Sequence, residues 1–404
     1  MKKQIFLIVL LSGFVWVQSL AQSFESSNQA GTFGYDLNFF KKYEEPIVLK
    51  NNNDQCQIVV VADYQGRVMT STSNGIKGKS YGWVNYDLIS SGEVKEQINA
   101  YGGEDRFWMG PEGGQYSIFF EKGKDFIVDN WHTPKSIDTE PFDLIENTDT
   151  RAVFRRKIQL TNYADYQFDI DVTREISILN RSTIVDNLNI DLGDNVSYVA
   201  FQSDNAIKNI GTSNWTKDKG LLSIWIQGMY IPSENTTVII PYKGSLDLNT
   251  SYFGEIGADR LSITNSAVLF KGDGQYRCKI GLPPKNALPF FGSYDADNKV
   301  LTIIEFSFEG DTCYVNSLWK HQEDPYGGDV INSYNDGPLE DGSIFGPFYE
   351  LESSSSSKEL QVGESMKHIH KTYHFEGKQK DLNLIAKRVL GIDLSEVKTK
   401  HNWP

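Results

Sequence analysis

The chain is poor in cysteine. Cys56, Cys278 and Cys313 are all it has among 404 residues, and an odd set of three allows one disulfide at most. A disulfide-stapled scaffold is excluded, so stability must rest on a buried core. Beyond one apolar run at the start, no stretch approaches the roughly 20 apolar residues that a membrane-spanning helix needs. Helical periodicity is scarce too, appearing only in SGEVKEQINA (91–100) and KDLNLIAKRVLGI (380–392). A glycine-rich phosphate loop, a nucleophile elbow, a zinc-protease helix and an EF-hand loop are missing, which removes their nucleotide, hydrolase, protease and calcium chemistries. Positive charge is in deficit: 39 Lys and Arg against 53 Asp and Glu leave a formal charge of −14. Such a chain is ill suited to nucleic acid or an anionic membrane surface, and neutral ligands fit it best.

What is present begins with MKKQIFLIVLLSGFVWVQSLAQS. Lys2 and Lys3, the apolar run, and small residues at Ser19 and Ala21 form the pattern of a signal peptide spanning residues 1–21. Residues 22–404 are then expected as one domain, secreted to the periplasm or beyond, with no lipid anchor because no cysteine follows the cleavage point.

Alternation dominates the rest. In YQFDIDVTR, Tyr166, Phe168, Ile170 and Val172 fall on one face and Gln167, Asp169, Asp171 and Thr173 on the other, the pattern of a half-buried strand. QIVVVA, YSIFFE, AVFRRKIQL, LLSIWIQG, RLSITNSAVLF, KVLTIIEFSF and TCYVNSLW read the same way, separated by turn signals such as DNKV and GDGQ. These spacings predict an all-β, antiparallel β-sandwich with minor helices.

Three segments carry more chemistry than a sandwich needs. GGEDRFWMGPEGGQ (102–115) sets Arg106, a planar fork of donors for hydroxyls or a uronate, beside Trp108, a stacking face, with Glu104, Asp105 and Glu112 as acceptors. The bland alternative is a salt-bridged loop with Arg106 paired to Glu104 or Glu112. In SLWKHQEDPYGGDVINSYNDGP (317–338), Trp319 and Tyr326 could stack on a sugar while Asp329, Asn332, Asn335 and Asp336 bond its hydroxyls; ordinary turn chemistry is the alternative. GPFYELESSSSSKELQVGESMKHIHKTYHF reads as two strands. Period two aligns Glu350 with Glu352 on the first and His368, His370 and His374 on the second, a set that could converge for acid–base or metal chemistry or simply face solvent on an edge hairpin. His368 and His370 are the only pair close enough for one ion, and imidazole would favour zinc; the reading assigns no metal and no cofactor. Trp83, Trp215 and Trp225 sit in alternating strands and read as core.

Leu351-Glu352-Ser353-Ser354, with Leu360 and Gly363-Glu364 beyond, resembles the late strand of aldose 1-epimerases and other galactose-mutarotase-like proteins. DYQGRVMTSTSNG (63–75) resembles their early strand and turn, and FQSDNAIKNIG (201–211) their central strand. The resemblance implies the galactose-mutarotase-like supersandwich, a saccharide ligand in a concave cleft, Glu352 as the base acting on the anomeric hydroxyl, and Arg106 and Asn205 near the sugar. One departure is plain: where the family carries a histidine as general acid, Asn205 is followed here by Ala206. His132 in DNWHTP and His321 in LWKHQEDP are the candidates to replace it. The expectation is a carbohydrate-active protein, epimerase- or lyase-like rather than a simple mutarotase, or else a non-catalytic carbohydrate-binding module of the same fold.

Overall fold

The structure, a computed structural model, describes residues 29–51, 53–253, 255–310, 312–339, 342–397 and 403. The expected signal peptide lies outside the described residues. Eighteen strands form three antiparallel sheets. In chain order they are β1 Pro46–Lys50, β2 Gln57–Val61, β3 Arg67–Thr72, β4 Arg106–Gly110, β5 Asp143–Asn147, β6 Arg151–Thr161, β7 Gln167–Ile178, β8 Ser197–Asn209 and β9 Ser223–Tyr230. There follow β10 Thr236–Pro241, β11 Leu261–Ile263, β12 Ala267–Lys271, β13 Cys278–Leu282, β14 Phe290–Asp295, β15 Val300–Phe306, β16 Ile331–Asn335, β17 Tyr349–Ser354 and β18 Ser365–Glu376. A small sheet runs β1-β2-β3. A ten-stranded sheet runs β11-β12-β10-β14-β15-β18-β8-β7-β6-β5, and a five-stranded sheet β13-β16-β17-β9-β4.

Alternation decides what each face meets. Phe168, Ile170 and Val172 of β7, Phe201 and Ile207 of β8, Phe107 of β4, and Ile224 and Ile226 of β9 are buried in one cluster between the two large sheets. Removing that much apolar surface from water is the main favourable contribution to folding. The far face of the ten-stranded sheet is covered by α3 Arg181–Leu188 and α4 Gln379–Val389, which bury Ile184 and Leu188, and Leu382, Ile385 and Ala386, against Ala200, Leu301, Ile303, Tyr373 and Phe375. The remaining helices are α1 Phe33–Tyr43, N-capped by Thr32, and α2 Tyr86–Ser91.

The helical period in 380–392 is borne out by α4; that in 91–100 is not. Gly92, left-handed at φ 66°, caps α2 and turns the chain out of the helix at the second residue of that segment. YSIFFE and TCYVNSLW are not strands either. Each makes one isolated bridge, Phe120 with Trp131 and Tyr314 with Gly327, and Ile118, Phe119, Phe120, Tyr314 and Val315 are buried on irregular chain.

The two C-terminal strands are not a hairpin. Residues 355–364 carry the chain from β17 in the five-stranded sheet to β18 in the ten-stranded one. Glu350 and Glu352 therefore point to the outer face of the smaller sheet, while the three histidines point into the space between sheets. There His368 Nε2 and His370 Nδ1 each lie 2.8 Å from Ser353 Oγ, and His374 Nε2 lies 2.7 Å from Glu104 Oε2. The expected convergence of both glutamates with the histidines is overturned: Ser353, one residue from Glu352, faces the opposite way. Among the described residues no group of three or more His, Cys, Asp or Glu side chains is placed to hold an ion.

Candidate functional site

The outer face of the five-stranded sheet is a cleft, and strand register builds it row by row. Arg106 on β4 pairs with Gln227 on β9, Gln227 with Glu352 on β17, Glu352 with Asn332 on β16, and Asn332 with Gly281 on β13. Alternate residues on the same strands bring Trp108, Trp225, Met229, Glu350, Tyr334 and Lys279 to the same face. Ile98, Ala100, Glu112, Trp131, Phe253, Arg277, Phe345 and Phe348 close the sides. The result is an aromatic-walled hollow with cations and carboxyls at its floor.

Arg106 is 2% exposed. Its Nη2 donates to Gln227 and lies 3.3 Å from Glu350 Oε1, and its guanidinium stacks over Trp108 at 4.1 Å. Among the described residues its Nε and Nη1 have no partner, nor do the indole N–H groups of Trp108 and Trp131. Glu352 is fully enclosed. One of its oxygens, Oε2, accepts from Lys279 Nζ at 2.9 Å and from Trp225 Nε1 at 3.0 Å. Lys279 is also held over the Trp225 and Tyr252 rings, at 4.8 and 5.4 Å.

Burial sets the protonation of the carboxyls a ligand can meet. It pushes Glu112 up to about 7 against the pull of Lys279. It pushes Glu350 up as well, with Arg106 opposing and the Glu352 charge reinforcing. Burial also works against the charge of Lys279, but Glu352, Glu112 and Glu350 together hold its ammonium above the ordinary value. At neutral pH the cleft thus pairs firm cations with carboxyls that keep or share a proton.

The charge-rich segment 102–115 serves both faces. Arg106 and Trp108 point to the cleft. Glu104 and Asp105, expected as acceptors for a ligand, point inward instead: Glu104 to His374 and Ser71, Asp105 to Arg174 at 2.5 Å. Gly102, at φ 96°, is needed there because a Cβ would stand 2.1 Å from the Trp83 carbonyl. Past β4 the chain is stitched to the other singled-out segment: Glu112 N donates to Ser317 Oγ, Gln115 Nε2 to the Gln322 carbonyl, and Gln322 N to Gln115 Oε1. Trp319 is thereby brought to Glu112, with which it shares a side-chain hydrogen bond, and it walls a second hollow with Tyr252, Phe253 and Arg277.

Of the residues expected at the site, Arg106, Trp108, Glu112 and Glu350 line the cleft and Trp319 its extension. Asp329 and Asn332 act one step back, both bonding the Tyr252 hydroxyl, at 2.6 and 3.2 Å. Gly281 leaves room for this, since a Cβ would meet Asp329 at 2.1 Å. Asn205 lies between the sheets, accepting from Arg174 and donating to the His368 carbonyl. Its side chain faces inward on β8 and does not line the cleft. His132 borders a separate hollow beside Glu121 and Lys135, and His321 is an exposed ring against Phe126 and Tyr163, so neither lines the cleft. Gln227, Lys279, Arg277, Trp225, Trp131 and Tyr334 were missed. A lone lysine inside CKIGL, a strand buried along its whole length, was the available signal for one of them.

A family model described as "Family of unknown function (DUF6786)" matches residues 31–401. No curated protein matches the chain. Among solved structures, a proposed aldose 1-epimerase from Escherichia coli K12 superposes with a TM-score of 0.51 at 9% identity, over 83% of this chain and 99% of that one. The Slr1438 protein from Synechocystis gives 0.49 at 11% over 83% and 96%. A galactose mutarotase-like protein from Lactobacillus casei gives 0.47 at 9% over 82% and 100%. The fold is the galactose-mutarotase-like sandwich expected from the sequence. No helix among the described residues is long and apolar enough to cross a membrane.

Proposed function

We propose, for a chain that belongs to the DUF6786 family, that the outer cleft receives a saccharide and handles it with Glu350 and Glu112 as the proton-exchanging groups. One observation carries this reading: two carboxyls of raised pKa, two arginines and a lysine share an aromatic-walled cleft on the outer face of the sheet. Indole faces suit the apolar side of a sugar ring, and the unpartnered donors of Arg106 and Trp108 suit its oxygens. The fold it shares with a proposed aldose 1-epimerase is in keeping with this. Glu352 becomes a positioning residue in this reading, because it is fully enclosed with Lys279 and Trp225 on its Oε2, which leaves the neighbouring Glu350 as the carboxyl that lines the cleft.

Trp108, Trp131 and Trp225 all line the cleft, so intrinsic fluorescence titrated with an array of mono- to tetrasaccharides is the direct test. A saturable response is expected. Trp108→Ala should weaken it about tenfold or more, the scale of losing a stacking face and a donor together. Silence toward every member of the array would overturn the proposal.

A second reading, a binding module without catalysis, is favoured by the absence of any histidine from the cleft lining among the described residues. Under this second reading the anomers of free glucose and galactose should interconvert at the uncatalysed rate, since Ala206 stands where the mutarotases carry a histidine as general acid and His132 and His321 lie elsewhere. Polarimetry on fresh α-glucose and α-galactose checks this. Rapid mutarotation would show that a carboxyl supplies the proton in place of histidine.

A further inference from the structure

The cleft divides into two compartments of unequal size. The inner one, over Arg106, Trp108 and Glu350, has a volume of about 80 Å³. The outer one continues past Glu112, Phe253 and Arg277 and has about 410 Å³, walled by Tyr252, Trp319 and Lys320. The outer compartment is the roomier of the two, so a ligand that fills both places its ring there and its smaller polar end in the inner one.

The inner compartment sets guanidinium and indole donors beside the carboxyls of Glu350 and Glu112. Four buried donors on its lining residues have no acceptor among the described residues: Arg106 Nε, Arg106 Nη1, Trp108 Nε1 and Trp131 Nε1. At the junction Arg277 donates to the Tyr334 hydroxyl at 3.3 Å and lies 4.0 Å over Phe253, and it forms no ion pair among the described residues. A tight compartment bounded by two guanidinium groups fits a planar acceptor-only group such as a carboxylate.

We infer that the ligand is an acidic saccharide whose carboxylate enters the inner compartment against Arg106 while its ring lies in the outer compartment against Trp319 and Phe253. This rests on the saccharide reading above and narrows it to uronate-type sugars. Glu350 is compatible with an incoming carboxylate only while it holds its proton. It is faced by Arg106 from β4, Lys279 from β13, Glu352 from its own strand and Asp336 beyond β16, with Glu112 and Arg277 lining the same space. Burial keeps it protonated at neutral pH, so it then donates to a carboxylate instead of repelling it. Binding should therefore weaken as pH rises through the titration of Glu112 and then Glu350, and Glu350→Gln, which mimics the protonated state, should remove the second step.

Calorimetric titration of the purified chain with glucuronate, galacturonate and digalacturonate, against glucose, galactose, lactose and cellobiose, tests this. The acidic sugars are expected to bind about tenfold or more tighter at neutral pH, and Arg106→Gln should abolish that preference while weak binding of neutral sugars persists. Should Arg106→Gln fail to fold, as judged by its melting curve, Arg277→Gln and Glu350→Gln replace it. The first should cut acidic-sugar affinity severalfold, and the second should lose clearly less acidic-sugar affinity between about pH 7 and pH 9 than the unaltered chain does. Equal binding of acidic and neutral sugars would overturn this inference and leave the saccharide reading standing. Binding of none of the sugars by a folded protein would overturn both.

Discussion

Glu352→Gln is expected to destabilise the protein by about 3 kcal/mol, the lower end of what removing one partner of a buried ion pair costs. The substitution leaves the Lys279 ammonium, 6% exposed, without the carboxylate 2.9 Å away. Glu112 and Glu350 soften the loss only in part, because burial keeps Glu350 largely protonated and Glu112 about half protonated at neutral pH. The pH dependence has a definite sign. Without Glu352 the folded-state pKa of Lys279 falls below its unfolded value of about 10.4, so the unfolded state binds more protons and the variant gains stability as pH rises toward that value. The deficit relative to the unaltered chain should therefore narrow between about pH 7 and pH 10. A second variant separates structure from chemistry: Glu352→Leu combined with Lys279→Met should recover most of the stability, since well-packed apolar residues often replace a buried pair without loss. Chemical denaturation at several pH values measures all of this. A Glu352→Gln protein as stable as the unaltered one, yet without any saccharide response, would return Glu352 to the role of a ligand-facing base.

Arg174→Met should have the larger effect, about 3–5 kcal/mol or outright failure to accumulate folded protein. Arg174 and Asp105 are both without solvent exposure, 2.5 Å apart. Arg174 also donates to Asn205 Oδ1 at 2.6 Å, to the Asp105 carbonyl at 2.8 Å and to the Gly66 carbonyl at 3.1 Å, so one side chain ties β4, β7, β8 and the turn before β3 together. Its loss leaves a buried carboxylate and several acceptors unpaired at once. Asp105 precedes Arg106 on β4, so a folded remnant should also lose saccharide binding through displacement of the cleft. A shift in denaturation midpoint corresponding to less than about 1 kcal/mol would show that water or a rearranged neighbour satisfies these groups, contrary to the packing described.

Much of the cleft was visible in the chain because its residues are locally conspicuous. Arg106 and Trp108 stand two apart in a strand bracketed by glycines, and Glu350 and Glu352 two apart in another; both pairs do share one face. Which carboxyl meets a ligand was not visible. Glu350 and Glu352 have the same local pattern, and only the arrival of Lys279 from β13 and Trp225 from β9 encloses one and leaves the other at the surface. The histidines show the same limit from the other side. Their alternation on β18 was legible, but the face they share is buried against Ser353 rather than turned to the glutamates.

The sequence by itself determined the class of fold, most of the strands it marked and the inward or outward sense of many side chains. Those depend on a two-residue period and on the free energy of burying apolar surface, which act over a few neighbouring residues. Which sheet each strand joins was decided only by the tertiary structure. β4 pairs with β9 more than a hundred residues away, and β17 and β18, joined by a short serine-rich crossing, part into different sheets. Such pairings satisfy backbone hydrogen bonds equally well in many orders, and the order that also closes one core is a property of all strands together, which no local pattern records.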